Sequence, residues 1–324
     1  MNTINREDIQ IITRNSDWKE TDVSNILVNK IYSNKESWQK FLQLFFMSLG
    51  VSFTIAGILF FFAYNWNDLH KFVKIGLVEG LILILTLVAV FVKIKPLFKN
   101  IILSGVTMLV GVLFAVFGQI YQTGANAYDF FLGWTMAVAL WVFVANFTVL
   151  WLIFIVLLNV TLGFYIEQVA PGWSDLYVFS IFIGLNAMFL VVSLFLKSKK
   201  FIIPNWFTNL LALGIAVLVT FAMYNGIFDR DKSYLGIVLI LGIVLYASGI
   251  YYGLKNKRSF YLSIIPFSVI MIVAGLLVKE ISFREFEMFL VIGFFIVGSV
   301  TLVIKMLMNL QKKWKVENRE LSNE

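Results

Sequence analysis

FGQIYQTGANAYDFFLGW, residues 117–134, is an island of amides, phenols and one carboxylate between two long apolar runs. Before it stands IILSGVTMLVGVLFAVFG (101–118), and after it TMAVALWVFVANFTVLWLIFIVLLNV (135–160). The first run approaches the roughly 20 residues that a helix needs to cross hydrocarbon, and the second exceeds them. In lipid, a polar group without a partner costs on the order of several kcal/mol. Polar side chains gathered at that depth therefore require partners, and the rest of the chain has to supply them.

The apolar character extends along the whole sequence. Hydrophobic residues make up 60% of the 324 and charged residues 14%, against roughly half and a quarter in a soluble domain. Ten apolar spans emerge, at 44–64, 73–92, 101–118, 130–145, 147–166, 176–196, 206–224, 234–254, 261–278 and 286–308. The fold class is thus all-α, a polytopic transmembrane bundle over 43–308. A cytoplasmic helical head at 1–42 precedes it and a basic tail at 309–324 follows. In the head, Val23, Ile26, Leu27 and Ile31 fall at helical spacing below the capping candidates Ser16 and Asp17, a pattern for an amphipathic helix. Spans four and five touch at Asn146, so 130–166 reads either as two full spans or as a run with a re-entrant piece.

Charge orients the weave. Lys93, Lys95 and Lys99 follow span two; Lys197, Lys199 and Lys200 follow span six; Lys255, Lys257 and Arg258 follow span eight. With an even number of spans these clusters share one side with the head and the tail, which the positive-inside rule makes cytoplasmic. Dropping one span would put the later clusters on the wrong face. The formal charge of +7 is therefore a topology signal, and nucleic acid is not an expected partner.

That orientation sends the unusual side chains outward. Span one ends in Asn65, Trp66, Asn67, Asp68 and His70; span three ends in Gln119, Tyr121 and Gln122; span four opens after Asn126 and Asp129; span five ends at Glu167 and Gln168. Glu79 lies about 10 Å below the outer end of span two at 1.5 Å per residue. An ionisable group inside a span is a functional candidate by default. The candidate ligand-binding set is accordingly Glu79, Asn65, Trp66, Asp68, Gln119, Tyr121, Gln122, Asn126 and Asp129. Each has a structural alternative. Trp66 and Trp134 serve as interfacial anchors, Asn126 and Asp129 shape a turn and cap span four, His70 is a solvated interfacial residue, Gln119 and Gln122 lock helices together, and Glu79 is held in a structural pair.

Catalytic signatures are missing. No HExxH, GxSxG, phosphate-binding loop, dinucleotide fingerprint or paired-aspartate metal cluster occurs, and there is no cysteine. The sequence points away from an enzyme and implies no cofactor or metal. Pro266 interrupts span nine, where a kink is expected. Gly249 and Gly253 form a GxxxG in span eight, a motif for close helix approach.

Two stretches, GILFFFAYNWNDLHKFVKIGLVEG (57–80) and GVLFAVFGQIYQTGANAYDFFLGWTMAVALW (111–141), resemble the bacterial membrane family called domain of unknown function 2157. The likeness rests on an A-x-N-W turn at Ala63, Asn65 and Trp66. A G-Q-x-Y-Q-T-G segment at Gly118, Gln119, Tyr121, Gln122, Thr123 and Gly124 adds to it, leading to Asp129 and Trp134. The resemblance implies a bacterial inner-membrane protein and no established activity. Two readings follow. One is a transporter or small-ligand or ion-handling protein with an outward polar cavity. The other is a non-catalytic scaffold or sensor whose head, residues 1–42, docks a cytoplasmic protein.

Overall fold

The computed structural model describes residues 35–64, 69–121, 126–229, 231–280 and 285–320, together with Thr13, Thr21, Val23, Ser24 and Leu27. Ten long helices account for nearly all of them, and no strand occurs among the described residues. They are α1 Lys35–Tyr64, α2 Lys71–Phe91, α3 Pro96–Tyr121, α4 Ala127–Ala145, α5 Thr148–Gln168, α6 Asp175–Ser198, α7 Asn205–Phe228, α8 Leu235–Lys255, α9 Ser259–Glu280 and α10 Glu285–Glu320. All ten contain a stretch long and apolar enough to cross a membrane, so the chain is a multi-pass helical membrane protein. The ten expected spans correspond to these helices one for one.

The run around Asn146 resolves into two full helices of 19 and 21 residues. Asn146 itself takes the left-handed conformation, φ 43° and ψ 44°, and ends α4. Asparagine tolerates that geometry better than most residues because its short amide bonds locally. Its Oδ1 here accepts from the Trp151 indole at 3.3 Å. A re-entrant piece has no place in this stretch. Most of the head lies outside the described residues, but 35–42 are already helical and continuous with α1. At the other end α10 runs on through the basic tail to Glu320.

The chain divides into two compact units, residues 1–124 and 125–324. In the first, α3 is central and packs against both α1 and α2. Its buried Leu109, Val112 and Val116 meet Val78 of α2 at three- and four-residue spacing, with Ile55 and Ile58 of α1 alongside. Gly105 lets α1 approach closely, since a Cβ there would stand 2.7 Å from Val51 Cγ1.

In the second unit α7 is the hub, touching α6, α8 and α9. Ile215, Val219 and Ala222 of α7 are buried among Leu176 and Ile183 of α6 and Val238 of α8. Phe207 and Leu211 of α7 reach Ile155 of α5, and α4 pairs with α5. The glycine pair in α8 makes the expected close approach to α9. A Cβ at Gly249 would lie 2.7 Å from Ile265 Cδ1, and one at Gly253 would lie 2.9 Å from Leu262 Cγ. Pro266 sits inside α9, which continues through it as one helix.

Polar groups inside the second unit satisfy one another. The amides of Asn159 in α5 and Asn186 in α6 bond reciprocally. Thr135 of α4 meets Thr161 of α5 at 3.0 Å. Ser268 of α9 gathers Thr220 of α7, at 2.5 Å, and the phenol of Tyr246 from α8. The Thr220 hydroxyl also donates to the Ala216 carbonyl at 2.7 Å. Such pairs keep hydroxyls and amides from facing hydrocarbon alone and stitch neighbouring helices.

Candidate functional site at the acidic helix ends

In each unit the helices alternate between a basic end and an opposite end. The opposite ends of the second unit carry Asp129, Glu167, Asp175, Asp229, Asp231 and Glu280. These acidic ends hold the candidates that sequence reasoning assigned to that unit.

In the first unit, Asn65, Trp66, Asp68 and Gln122 lie outside the described residues. Gln119 and Tyr121 occupy the last turn of α3, both exposed, with the Tyr121 ring 4.5 Å from that of Phe117. Glu79 is exposed as well. Its neighbour Val78 takes the interior position at 1% exposure, and one residue along a helix turns the side chain by about 100°. Within this unit Glu79 therefore points away from α3, whereas an intramembrane carboxyl is expected to face a bundle interior. His70, expected as a solvated interfacial residue, caps α2: its Nδ1 accepts from the Phe72 N–H at 3.4 Å. Lys74, one turn on, is buried.

In the second unit, Asn126 and Asp129 work locally. The Asn126 N–H donates to Asp129 Oδ2 at 3.2 Å across the first turn of α4. This is one arm of a capping box. Gln168, from the far end of α5, accepts from the Tyr128 N–H at 3.0 Å and covers another orphan donor of that turn. The cap alternative thus describes Asn126 and Asp129, and Gln168 adds a tie between α4 and α5 that the sequence did not suggest.

Sequence reasoning missed an aromatic row across the same ends. Tyr128 meets Tyr165 edge-on at 5.5 Å, Tyr165 meets Trp173 at 6.1 Å, Trp173 meets Tyr177 at 5.1 Å, and Tyr177 meets Tyr234 at 5.0 Å. Five rings so contributed link α4, α5, α6 and the residue opening α8. Tyr234 holds φ 67°, the left-handed region, which is a strained setting for a bulky residue. The residues flanking each apolar run are rich in tyrosine and tryptophan, and that was the available signal. Their mutual order depends on packing.

Two lysines at these ends are also committed. The Lys232 ammonium donates to the carbonyls of Gly226, of Ile227 at 3.2 Å and of Asp229 at 2.6 Å, while Lys279 donates to Ile227. These are the orphan carbonyls at the negative end of the α7 dipole, where a cation stabilises. Asn225, one turn back, donates to Asp175 Oδ2 at 3.2 Å and ties α7 to the start of α6. Its Oδ1 is buried without a hydrogen-bond partner.

Among the described residues no group of three or more histidine, aspartate or glutamate side chains could hold a metal. The ends offer hydrogen-bonding amides, carboxylates and aromatic rings in edge-on or tilted contact. No curated protein and no solved structure matches this chain. The A-x-N-W motif and the G-Q-x-Y-Q-T-G segment both fall inside one matched stretch, which runs through α1 to α4 into the first turn of α5: residues 27–151 match the family described as Predicted membrane protein (DUF2157).

Proposed function

We propose that this chain is a bacterial inner-membrane protein with both termini cytoplasmic, handling a small polar ligand or ion at its non-cytoplasmic helix ends. The observation that carries the reading is the row Tyr128–Tyr165–Trp173–Tyr177–Tyr234, laid over helix ends rich in carboxylates. Aromatic rings in edge-on and tilted contact beside acceptors suit a polar or cationic solute, and the left-handed backbone at Tyr234 supports the reading, since such strain clusters at functional sites. Within the first unit, taken by itself, Glu79, Gln119 and Tyr121 are the residues proposed to meet a ligand. Asn65, Trp66, Asp68 and Gln122 join them on sequence grounds. In the second unit Asn126 and Asp129 are proposed to act through the α4 cap, beside the aromatic row.

Glu79 supports this reading through its cost. A carboxylate at that depth facing only acyl chains is unfavourable by about 2.5 kcal/mol or more, so a protein or water environment on that side is the economical arrangement.

A scaffold is the second reading, and one feature favours it. At 36 residues, α10 is about 54 Å long against a hydrocarbon core of about 30 Å. Its tail is held by Lys257–Glu317 at 3.1 Å and by Gln311 donating to Ser259 at 3.2 Å. A fixed helix on the side of both termini would suit a docking protein.

Rescue of a deletion strain separates the two. Ligand handling predicts that Glu79→Gln and Gln119→Ala insert normally and fail to rescue, while removal of residues 1–34 is tolerated. Full rescue by both point variants, with failure of the truncation, would favour the scaffold.

A further inference from the structure

The basic ends of the second unit hold a groove that the ligand reading does not use. Between α5 and α6 lies an open cavity of about 730 Å³, within the roughly 300–1,000 Å³ range of ligand pockets. The two helices meet at Asn159 and Asn186 and leave the slot on the basic side of that pair. Trp151 and Phe154 of α5 and Met188 and Val192 of α6 line it, together with Phe201 and Ile202 from the connection that follows α6. Ile202 is 98% exposed in the connection between α6 and α7, an apolar side chain presented beside lysines.

Charge at the mouth is one-sided. Lys200 lines it, held at φ 70°. Lys197 is engaged with Asn205, and Arg258 stands within Coulombic reach of it. Lys199 lies over the Phe195 ring at 5.6 Å. The described carboxylate at these ends, Glu317, is taken by Lys257, while Asp129, Glu167, Asp175, Asp229, Asp231 and Glu280 sit at the opposite ends. An apolar slot opening beside cations, with no carboxylate among its lining residues, complements an acyl chain carrying an anionic head.

We infer that this groove binds an anionic glycerophospholipid of the surrounding leaflet, one acyl chain lying against Trp151 and Val192 and the phosphate meeting Lys200. The inference stands independently of ligand handling at the acidic ends. A zwitterionic lipid could fill the slot, but its net neutrality would leave the cation cluster unanswered. Basic sites between transmembrane helices favour anionic head groups for this reason.

Trp151 supplies the probe. The full-length protein is reconstituted in phosphatidylcholine vesicles containing either bromoacyl phosphatidylglycerol or bromoacyl phosphatidylcholine. The Trp151 signal is the difference between the wild type and Trp151→Phe. Half-maximal quenching is expected at an about fivefold lower mole fraction of the brominated phosphatidylglycerol. Lys200→Gln should bring the two titrations together, whereas the distant Lys312→Gln should keep them apart. Equal quenching of the wild type by both lipids would overturn the inference by making the slot an ordinary annular position. No quenching by either would overturn it too, assigning the slot to a protein segment or a second copy. A preference that survives Lys200→Gln would remove the assignment of the phosphate to that lysine.

Discussion

The side-chain amides of Asn159 and Asn186 bond one another head to tail. Asn186 Nδ2 donates to Asn159 Oδ1 at 2.7 Å, and Asn159 Nδ2 returns to Asn186 Oδ1 at 3.3 Å. Each amide also donates to its own helix, to Ile155 O at 2.7 Å and to Phe182 O at 2.9 Å. They fall near the middle of α5 and α6, where antiparallel spans reach equal depth, and otherwise these two helices touch little. The pair is the principal polar tie between the α4–α5 hairpin and the helices around α7.

Replacing one amide should strand the other in an apolar layer. Asn159→Leu or Asn186→Leu is expected to lower stability by about 1–2 kcal/mol. The double variant should lose less than the sum, because the orphan is then gone. Unfolding in mixed micelles measures the cycle; strictly additive losses would show that the amides act separately.

Lys232 and Lys279 converge on the Ile227 carbonyl at the end of α7. Lys232→Met and Lys279→Met should each cost on the order of 0.5–1 kcal/mol. The two effects should couple, since either ammonium can partly cover the shared acceptor. The same unfolding assay reads this; unchanged stability in both variants would deny the capping role.

The α8–α9 approach predicts a contrast between two glycines of one helix. Gly253→Ala meets Leu262 at 2.9 Å and the Arg258 carbonyl at 3.3 Å, so a loss of about 1–3 kcal/mol is expected. Gly236→Ala meets nothing within 4 Å and should instead gain roughly 0.5–1 kcal/mol from helix propensity. Equal effects would mean that the close approach does not set the difference.

Tyr234 couples backbone strain to the aromatic row. Tyr234→Gly relieves the φ of 67°, a release of about 1 kcal/mol or more, while it removes the ring 5.0 Å from Tyr177. Ligand handling predicts a protein that is no less stable yet impaired in rescue of the deletion strain. Full rescue would leave the row as interfacial anchoring.

Helix number and type were legible because long apolar runs admit little else, and each of the ten reappears as a helix. The ends were blurred for a physical reason. Polar first and last turns, such as Lys35–Lys40 of α1 or the tail of α10 beyond Met308, carry no hydrophobic signal, yet helix continues through them. The direction of the candidate side chains was not legible. Periodicity could not say which face of α2 meets α3, and Val78 rather than Glu79 takes the interior. Asn126 and Asp129 were readable as a cap from their position before span four, whereas the contact of Gln168 with the Tyr128 N–H was not. The aromatic row, the two lysine caps and the Asn159–Asn186 pair required tertiary packing to bring distant positions together.

Ligand handling at the acidic helix ends requires both chain ends to share the opposite, cytoplasmic face. Compartment-sensitive reporters fused before Met1, after Glu324 and within the 170–174 connection test this directly in intact cells. The expected result is a cytoplasmic signal from both termini and a non-cytoplasmic one from the connection. Termini reporting from opposite faces, or a cytoplasmic signal at 170–174, would contradict it.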